Sequence, residues 1–255
     1  MTPQDLLKRP LRNLRLSVTD RCNLRCGYCM PEENYAWLPH QDILSFEEMG
    51  RLVEIFSRLG VDKVRLTGGE PLLRRDLPVL IDIVANIPAI RDIALTTNGV
   101  LLVDQAQALR DAGLRRLTVS LDTLRRERFQ QMTRRDDLPR VLAGIEAGRN
   151  ANFDALKLDT VAVKGQNDDE IVDMVAFARE IGAEVRFIEY MDVGGATQWS
   201  PAKVISRDEI LALIGAAYGK PEPLPKTDWA PANRYRLPDG SVFGVIASTT
   251  APFCQ

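Results

Sequence analysis

The chain has 255 residues, 45% hydrophobic and 27% charged, with 33 basic and 35 acidic side chains and a formal net charge of −2. That composition excludes a disordered chain and a nucleic-acid binder working through bulk positive charge. Every apolar run is broken early by a charge or a proline, and the N-terminal residues hold no apolar signal core, so no membrane span and a cytoplasmic location are expected. Only seven of the basic residues are lysine, so the positive charge is mostly guanidinium, a group suited to phosphate.

In chain order, short β-rich runs alternate with longer amphipathic ones. Strands are expected at Leu14–Val18, Lys63–Thr67, Ile93–Thr97, Leu117–Leu121, Leu156–Val163 and Val185–Tyr190. Helices are expected at Phe46–Leu59, Leu77–Ile87, Val103–Ala112, Leu138–Ala151, Asp168–Ile181 and Arg207–Ala217, with Gly60, Gly113 and Gly182 at C-cap positions. Six βα units in series require a parallel sheet with helical crossovers. Leu237-Pro238-Asp239-Gly240 marks a hairpin across Tyr235–Ala247, and the proline-rich stretch Pro221–Pro231 reads as a linker or excursion.

Alternate side chains of a strand face opposite sides. One face of the first strand carries Arg15, Ser17 and Thr19; the next strands add Lys63, Arg65 and Thr67, then Ala94, Thr96 and Asn98, then Thr118, Ser120 and Asp122, then Lys157 and Asp159. A parallel strand covered on both sides is apolar on both faces. Either these are polar strand ends alone, or a curved parallel sheet lines a wet substrate cavity. The second reading gives an α/β fold, an open or partial parallel βα barrel over residues 1–218, with chemistry at the C-terminal strand ends. A C-terminal β-hairpin extension then occupies 219–255. Lys157 is either a strand-edge surface lysine or a buried cation that needs an anion, the reading its neighbours Leu156 and Leu158 favour.

The cysteines are Cys22, Cys26, Cys29 and Cys254. The first three, spaced C-x3-C-x2-C on one loop, can hold three irons of a [4Fe–4S] cluster and leave the fourth iron open to a small chelating molecule. A closed site that recruits Cys254, or a zinc site, is the alternative. The only histidine, His40, lies in a proline-flanked loop and reads as solvated.

The aromatic Tyr28 before the last loop cysteine, and Gly68-Gly69-Glu70-Pro71 closing the second strand, make the chain resemble the radical S-adenosylmethionine (SAM) enzymes. Longer segments narrow the resemblance. Leu16-Ser17-Val18-Thr19-Asp20-Arg21-Cys22-Asn23-Leu24-Arg25-Cys26, Tyr28-Cys29-Met30-Pro31, Arg65-Leu66-Thr67-Gly68-Gly69-Glu70-Pro71-Leu72, Thr96-Thr97-Asn98-Gly99, Val119-Ser120-Leu121-Asp122 and Arg186-Phe187-Ile188-Glu189-Tyr190-Met191-Asp192-Val193-Gly194 look like the GTP 3′,8-cyclases of molybdenum cofactor biosynthesis (MoaA).

That resemblance implies a reaction. A reduced cluster cleaves SAM to methionine and a 5′-deoxyadenosyl radical, the radical takes hydrogen from C3′ of GTP, and the carbon radical attacks C8 of the guanine. It implies that Cys22, Cys26 and Cys29 hold the cluster and that Tyr28, Gly69, Ser120 and Met191 contact SAM. Glu70 either bonds the SAM amine or caps the following turn. Arg15, Arg65, Thr96 and Lys157 match GTP contacts, and Arg186 either joins them or pairs with Glu184 or Glu189. The implied partners are an electron donor and a downstream cyclic pyranopterin monophosphate synthase; a homodimer is left open. The family also carries a second three-cysteine motif for a second cluster. Cys254 matches its first cysteine, and the chain ends at Gln255. The expectation is therefore a complete SAM half without the guanine-anchoring half, the alternative function being a truncated or divergent protein that cleaves SAM but acts on another substrate or does not cyclise GTP.

Overall fold

Parallel neighbours cannot be joined by tight turns, so each return of the chain needs a crossover, usually a helix. The computed structural model, which describes residues 3–193, 199–226 and 230–252, shows that alternation. Its elements are β1 (Asn13–Ser17), α1 (Phe46–Arg58), β2 (Lys63–Thr67), α2 (Leu77–Ala85), β3 (Asp92–Thr97), α3 (Ala106–Asp111), β4 (Arg116–Ser120) and α4 (Arg126–Thr133). There follow α5 (Leu138–Asn150), β5 (Ala155–Ala162), α6 (Ile171–Glu180), β6 (Glu184–Glu189), α7 (Arg207–Tyr218), β7 (Glu222–Pro223), β8 (Asn233–Arg236) and β9 (Val242–Ile246). The chain divides into two compact units, the described residues of 1–23, 34–119 and 140–156 in one and those of 24–33, 120–139 and 157–255 in the other. Among the described residues no helix is long and apolar enough to cross a membrane.

In the first unit β1, β2, β3 and β4 pair in parallel, with Leu14 opposite Val64 and Val64 opposite Ile93. Its interior is built from buried Val64, Leu66, Leu95 and Leu117 of the strands and Val53, Leu77, Leu80, Ile81 and Val84 of α1 and α2. Burying each such side chain contributes about 1.5–3 kcal/mol. The start of α1 is fixed by a capping box: the Ser45 hydroxyl accepts from Glu48 N–H, and the Glu48 carboxylate accepts from Ser45 N–H. Helix α5 lies close on this unit, since a Cβ on Gly144 would sit 2.3 Å from the Gly99 carbonyl oxygen.

In the second unit β5 and β6 run parallel, β9 pairs parallel with β6, and β8 and β7 follow antiparallel. Leu158, Val185, Phe187, Phe243 and Val245 are buried in its sheet, and Ile171, Met174, Val175, Ile210 and Ile214 bury the inner faces of α6 and α7. Tyr235 and Phe243 stack across the hairpin at 5.5 Å.

All six expected parallel strands are present, each boundary within one residue, and the hairpin closes through Leu237 N–H to the Ser241 carbonyl. Three expectations need correction. Helix α3 starts at Ala106 rather than Val103, because residues 99–105 form turns that sink Leu102 into the core. The fifth expected helix, Asp168–Ile181, opens as a 3₁₀ turn over Asp168–Glu170 before α6, because buried Glu170 is held inward by Thr123. The stretch Pro221–Pro231 includes the edge strand β7, where Pro223 loses no needed ladder bond. Helix α4 was not expected: only Phe129, Met132 and Thr133 are buried along it, too few for a periodic apolar signal.

Candidate functional site

Beyond the ends of β1 and β2 the two backbones stay zipped. Gly69 N–H donates to the Thr19 carbonyl at 2.8 Å and Glu70 N–H to the Arg21 carbonyl at 2.7 Å. Glycine is required there by contact: a Cβ on Gly69 would lie 2.2 Å from the Arg21 oxygen, and one on Gly68 2.6 Å from the Thr19 oxygen. Further along the loop, the Cys26 carbonyl accepts from Cys29 N–H at 3.0 Å and Met30 N–H at 2.8 Å, so this end of the loop is a hydrogen-bonded turn. Cys22 and Cys26 are half-buried and Cys29 is exposed. Among the described residues no three His, Cys, Asp or Glu side chains are gathered as a metal site; the fold brings the thiols to one loop, not to one point. Three soft sulfur donors on one loop, with open space around Gly27, are nonetheless a donor set that fits an iron–sulfur cluster. His40 is exposed, and Cys254 lies outside the described residues.

Tyr28 projects from the same turn and donates to Asp122 Oδ2 at 2.6 Å, while Val161 N–H donates to Asp122 Oδ1 at 2.8 Å. Burial pushes the Asp122 carboxyl up to about 6, against the pull of those two bonds, and Asp159 nearby adds to the rise. Burial and the Asp122 charge together push the Tyr28 phenol well above its usual range. Ser120 is half-buried at the end of β4, and Met191 is 43% exposed after β6; Gly194, which closes that motif, lies outside the described residues.

Glu70 is buried and fully engaged. Its carboxylate accepts from Leu72 N–H at 3.0 Å, Thr97 Oγ1–H at 2.6 Å and Asn98 N–H at 2.7 Å, so it caps the turn after β2 and clamps the end of β3. Burial pushes its pKa up and these donors pull it back only in part. The device recurs in the second unit. Buried Glu170 accepts from Thr123 Oγ1–H and Leu124 N–H, and buried Glu189 from Arg207, Thr249 and Thr250. Each clamp fixes a loop at a C-terminal strand end, where an α/β protein places its chemistry.

The polar face expected from strand alternation is present in both units. In the first, Arg65 Nη1 donates to Thr96 Oγ1 at 2.9 Å and to Thr118 Oγ1 at 3.2 Å, tying three neighbouring strands on one side, and exposed Arg15 is the strand partner of Arg65. In the second, three cations surround one carboxylate. Glu184 lies 3.6 Å from Lys157 Nζ, 2.8 Å from Arg186 Nε and 2.9 Å from Arg234 Nη2. Lys157 and Arg186 are only 14% and 15% exposed, so neither is a surface cation. Burial raises the Glu184 pKa, but Lys157, Arg186 and Arg234 outweigh it and hold the carboxyl below its ordinary value.

Residues 16–178 match the radical SAM superfamily, and residues 183–255 match the family described as Molybdenum Cofactor Synthesis C. The protein named GTP 3′,8-cyclase 3 of Mycobacterium bovis is 55% identical over 255 residues, covering 98% of this chain and 68% of that protein. The chain belongs to the GTP 3′,8-cyclase family. Related family members include GTP 3′,8-cyclase 1 of Mycobacterium tuberculosis, 54% identical over 98% of this chain and 71% of its own length, and the Aquifex aeolicus GTP 3′,8-cyclase at 47%, over 98% and 78%. The fold is shared with solved structures that hold S-adenosylmethionine. Streptococcus suis SuiB bound to S-adenosylmethionine superposes with a TM-score of 0.64 at 21% identity, over 82% of this chain and 47% of SuiB. The anSMEcpe structure with bound AdoMet gives 0.65 at 16% identity, over 81% and 57%. The chain spans about half the length of these two.

In this GTP 3′,8-cyclase family member the motif residues were readable from sequence, and so was the pairing of Arg186 with Glu184, two residues away on β6. Thr118 and Asp122 lay on the expected polar face, but that they meet Arg65 and Tyr28, and that Arg234 and Lys157 join Glu184, carries no local signal, because those partners arrive from distant parts of the chain. Asn98 had one: an Asn before a Gly at a strand end is a turn former.

Proposed function

We propose that this chain is a cytoplasmic radical SAM GTP 3′,8-cyclase that converts GTP to 3′,8-cyclo-7,8-dihydro-GTP, the first step of molybdenum cofactor biosynthesis. The observation that carries the reading is the 55% identity, along nearly the whole chain, to a protein named for that activity. Cys22, Cys26 and Cys29 would hold a [4Fe–4S] cluster, which when bound would supply the electron for SAM cleavage. Gly69 keeps the backbone after β2 close and bare of side chain, so that the methionyl end of SAM is met by main-chain groups. Tyr28, Ser120 and Met191 complete its contacts, with Tyr28 fixed by Asp122. Arg15, Arg65, Thr96, Lys157 and Arg186 are the residues assigned to GTP, whose triphosphate calls for several cations. Glu70 holds the loop after β3 through its three protein donors. Residues 1–218 form the catalytic domain and 219–255 a C-terminal extension, in which Cys254 serves a second cluster. The partners of this reading are an electron donor and a synthase that would convert the product to cyclic pyranopterin monophosphate.

The test is an anaerobic assay of the reconstituted chain with reductant, SAM and GTP, following 5′-deoxyadenosine and cyclised nucleotide by mass spectrometry. Both products are expected. 5′-Deoxyadenosine without cyclised GTP supports SAM cleavage and overturns the GTP assignment for this chain; neither product, in protein carrying its iron, overturns both.

A further inference from the structure

Asn98 follows β3, and every polar group of its side chain has a partner within the first unit. Its Oδ1 accepts from Val100 N–H at 3.1 Å, closing a turn through Gly99, which has φ +79°. Because the oxygen is engaged by that donor, the other end of the amide must be nitrogen. Nδ2 donates to Asn23 Oδ1 at 2.7 Å and faces Cys22 Sγ at 3.9 Å. The backbone of Asn98 is pinned by Glu70 Oε2, which is buried and accepts its N–H at 2.7 Å. The amide therefore has one orientation, with a donor directed at the first cysteine of the loop.

We infer that Asn98 is a positioning residue for the iron–sulfur centre: it donates a hydrogen bond to the Cys22 sulfur and thereby raises the reduction potential of the cluster that this sulfur ligates. This deepens the function proposed above and rests on its cluster assignment. Thiolate sulfur bound to iron carries the excess charge of the reduced state, so a donor to it favours reduction, and outer contacts of this kind tune iron–sulfur potentials. Glu70 supports the same arrangement one contact further out, by fixing where the Asn98 backbone lies.

The test compares wild type with Asn98→Ser and Asn98→Asp in anaerobically reconstituted full chain, by iron count and by a redox titration followed by electron paramagnetic resonance. Both substitutions keep an oxygen able to accept from Val100 N–H, so the turn survives; both remove the donor to sulfur, and Asp adds a negative charge. The expected result is a lower midpoint in both variants at unchanged iron, Asp below Ser. For Ser the fall should be a roughly threefold to tenfold change in the reduction equilibrium, about 30–60 mV for one electron. Wild-type midpoints in both variants at full iron would mean that Asn98 only shapes the turn, and the inference fails while the cluster assignment stands. A wild-type chain that takes up no iron overturns both. If neither variant holds iron, wild type with ¹⁵N-labelled asparagine decides: a nitrogen hyperfine coupling to the reduced cluster supports the inference, and its absence overturns it.

Discussion

Tyr28 and Asp122, 94 residues apart in sequence, share a 2.6 Å hydrogen bond that ties the cysteine turn to the loop after β4. Asp122 is only 8% exposed, and its carboxyl is raised from 3.8 to about 6. A carboxyl with a raised folded value favours the protonated form in the fold. Its contribution to stability is therefore full below the unfolded value near 3.8 and is lost as pH rises through about 6. The loss is on the order of 2–3 kcal/mol. Asp122→Asn keeps an acceptor for Val161 N–H and cannot ionise. The difference in urea midpoint between variant and wild type should grow in the variant's favour from pH 4 to pH 7. A constant difference would show that Asp122 ionises normally in the fold.

Glu184 pairs with three cations, Lys157, Arg186 and Arg234. Glu184→Gln leaves three cations crowded together, at a cost of about 2–4 kcal/mol. Pyrophosphate, which replaces the missing negative charge, should raise the melting temperature of the variant more than that of wild type. Equal shifts would mean that the three cations do not gather on an anion.

Lys157→Ala removes one cation from the same group and touches no residue assigned to SAM. Calorimetry should show GTP binding weakened roughly tenfold, one charge-assisted contact of about 1.4 kcal/mol, and SAM binding unchanged. Unaltered GTP affinity would remove Lys157 from the substrate site.

Gly69→Ala drives a methyl group to 2.2 Å from the Arg21 carbonyl oxygen, a backbone atom that cannot swing aside. A loss of about 3 kcal/mol or more is expected, together with loss of SAM-dependent change in the cluster spectrum. Gly27→Ala is the control: no atom lies within 4 Å of its added Cβ, and its stability should match wild type. Similar behaviour of the two variants would contradict the close approach after β2.

Cys26→Ala should take up less iron than wild type and fail to yield 5′-deoxyadenosine. A variant that still cleaves SAM would sink the ligand assignment.

The sequence by itself determined the alternation of strands and helices, the cysteine loop after β1, the glycine pair after β2 and the side of each strand that is polar. These are local properties: periodicity, capping residues and turn chemistry act over a few neighbours. The same reasoning misplaced the start of α3 and passed over α4, where buried Leu102 and a mostly polar helix follow the packing around them rather than their own periodicity. Only the tertiary structure decided the partners. Asp122 meets Tyr28, Asn98 turns its amide to Cys22 across 76 residues, and Glu184 settles among cations from β5, β6 and β8. Such meetings depend on which strands become neighbours and in what register. Burial then makes them obligatory, because a carboxylate or amide removed from water needs a partner wherever the chain supplies one.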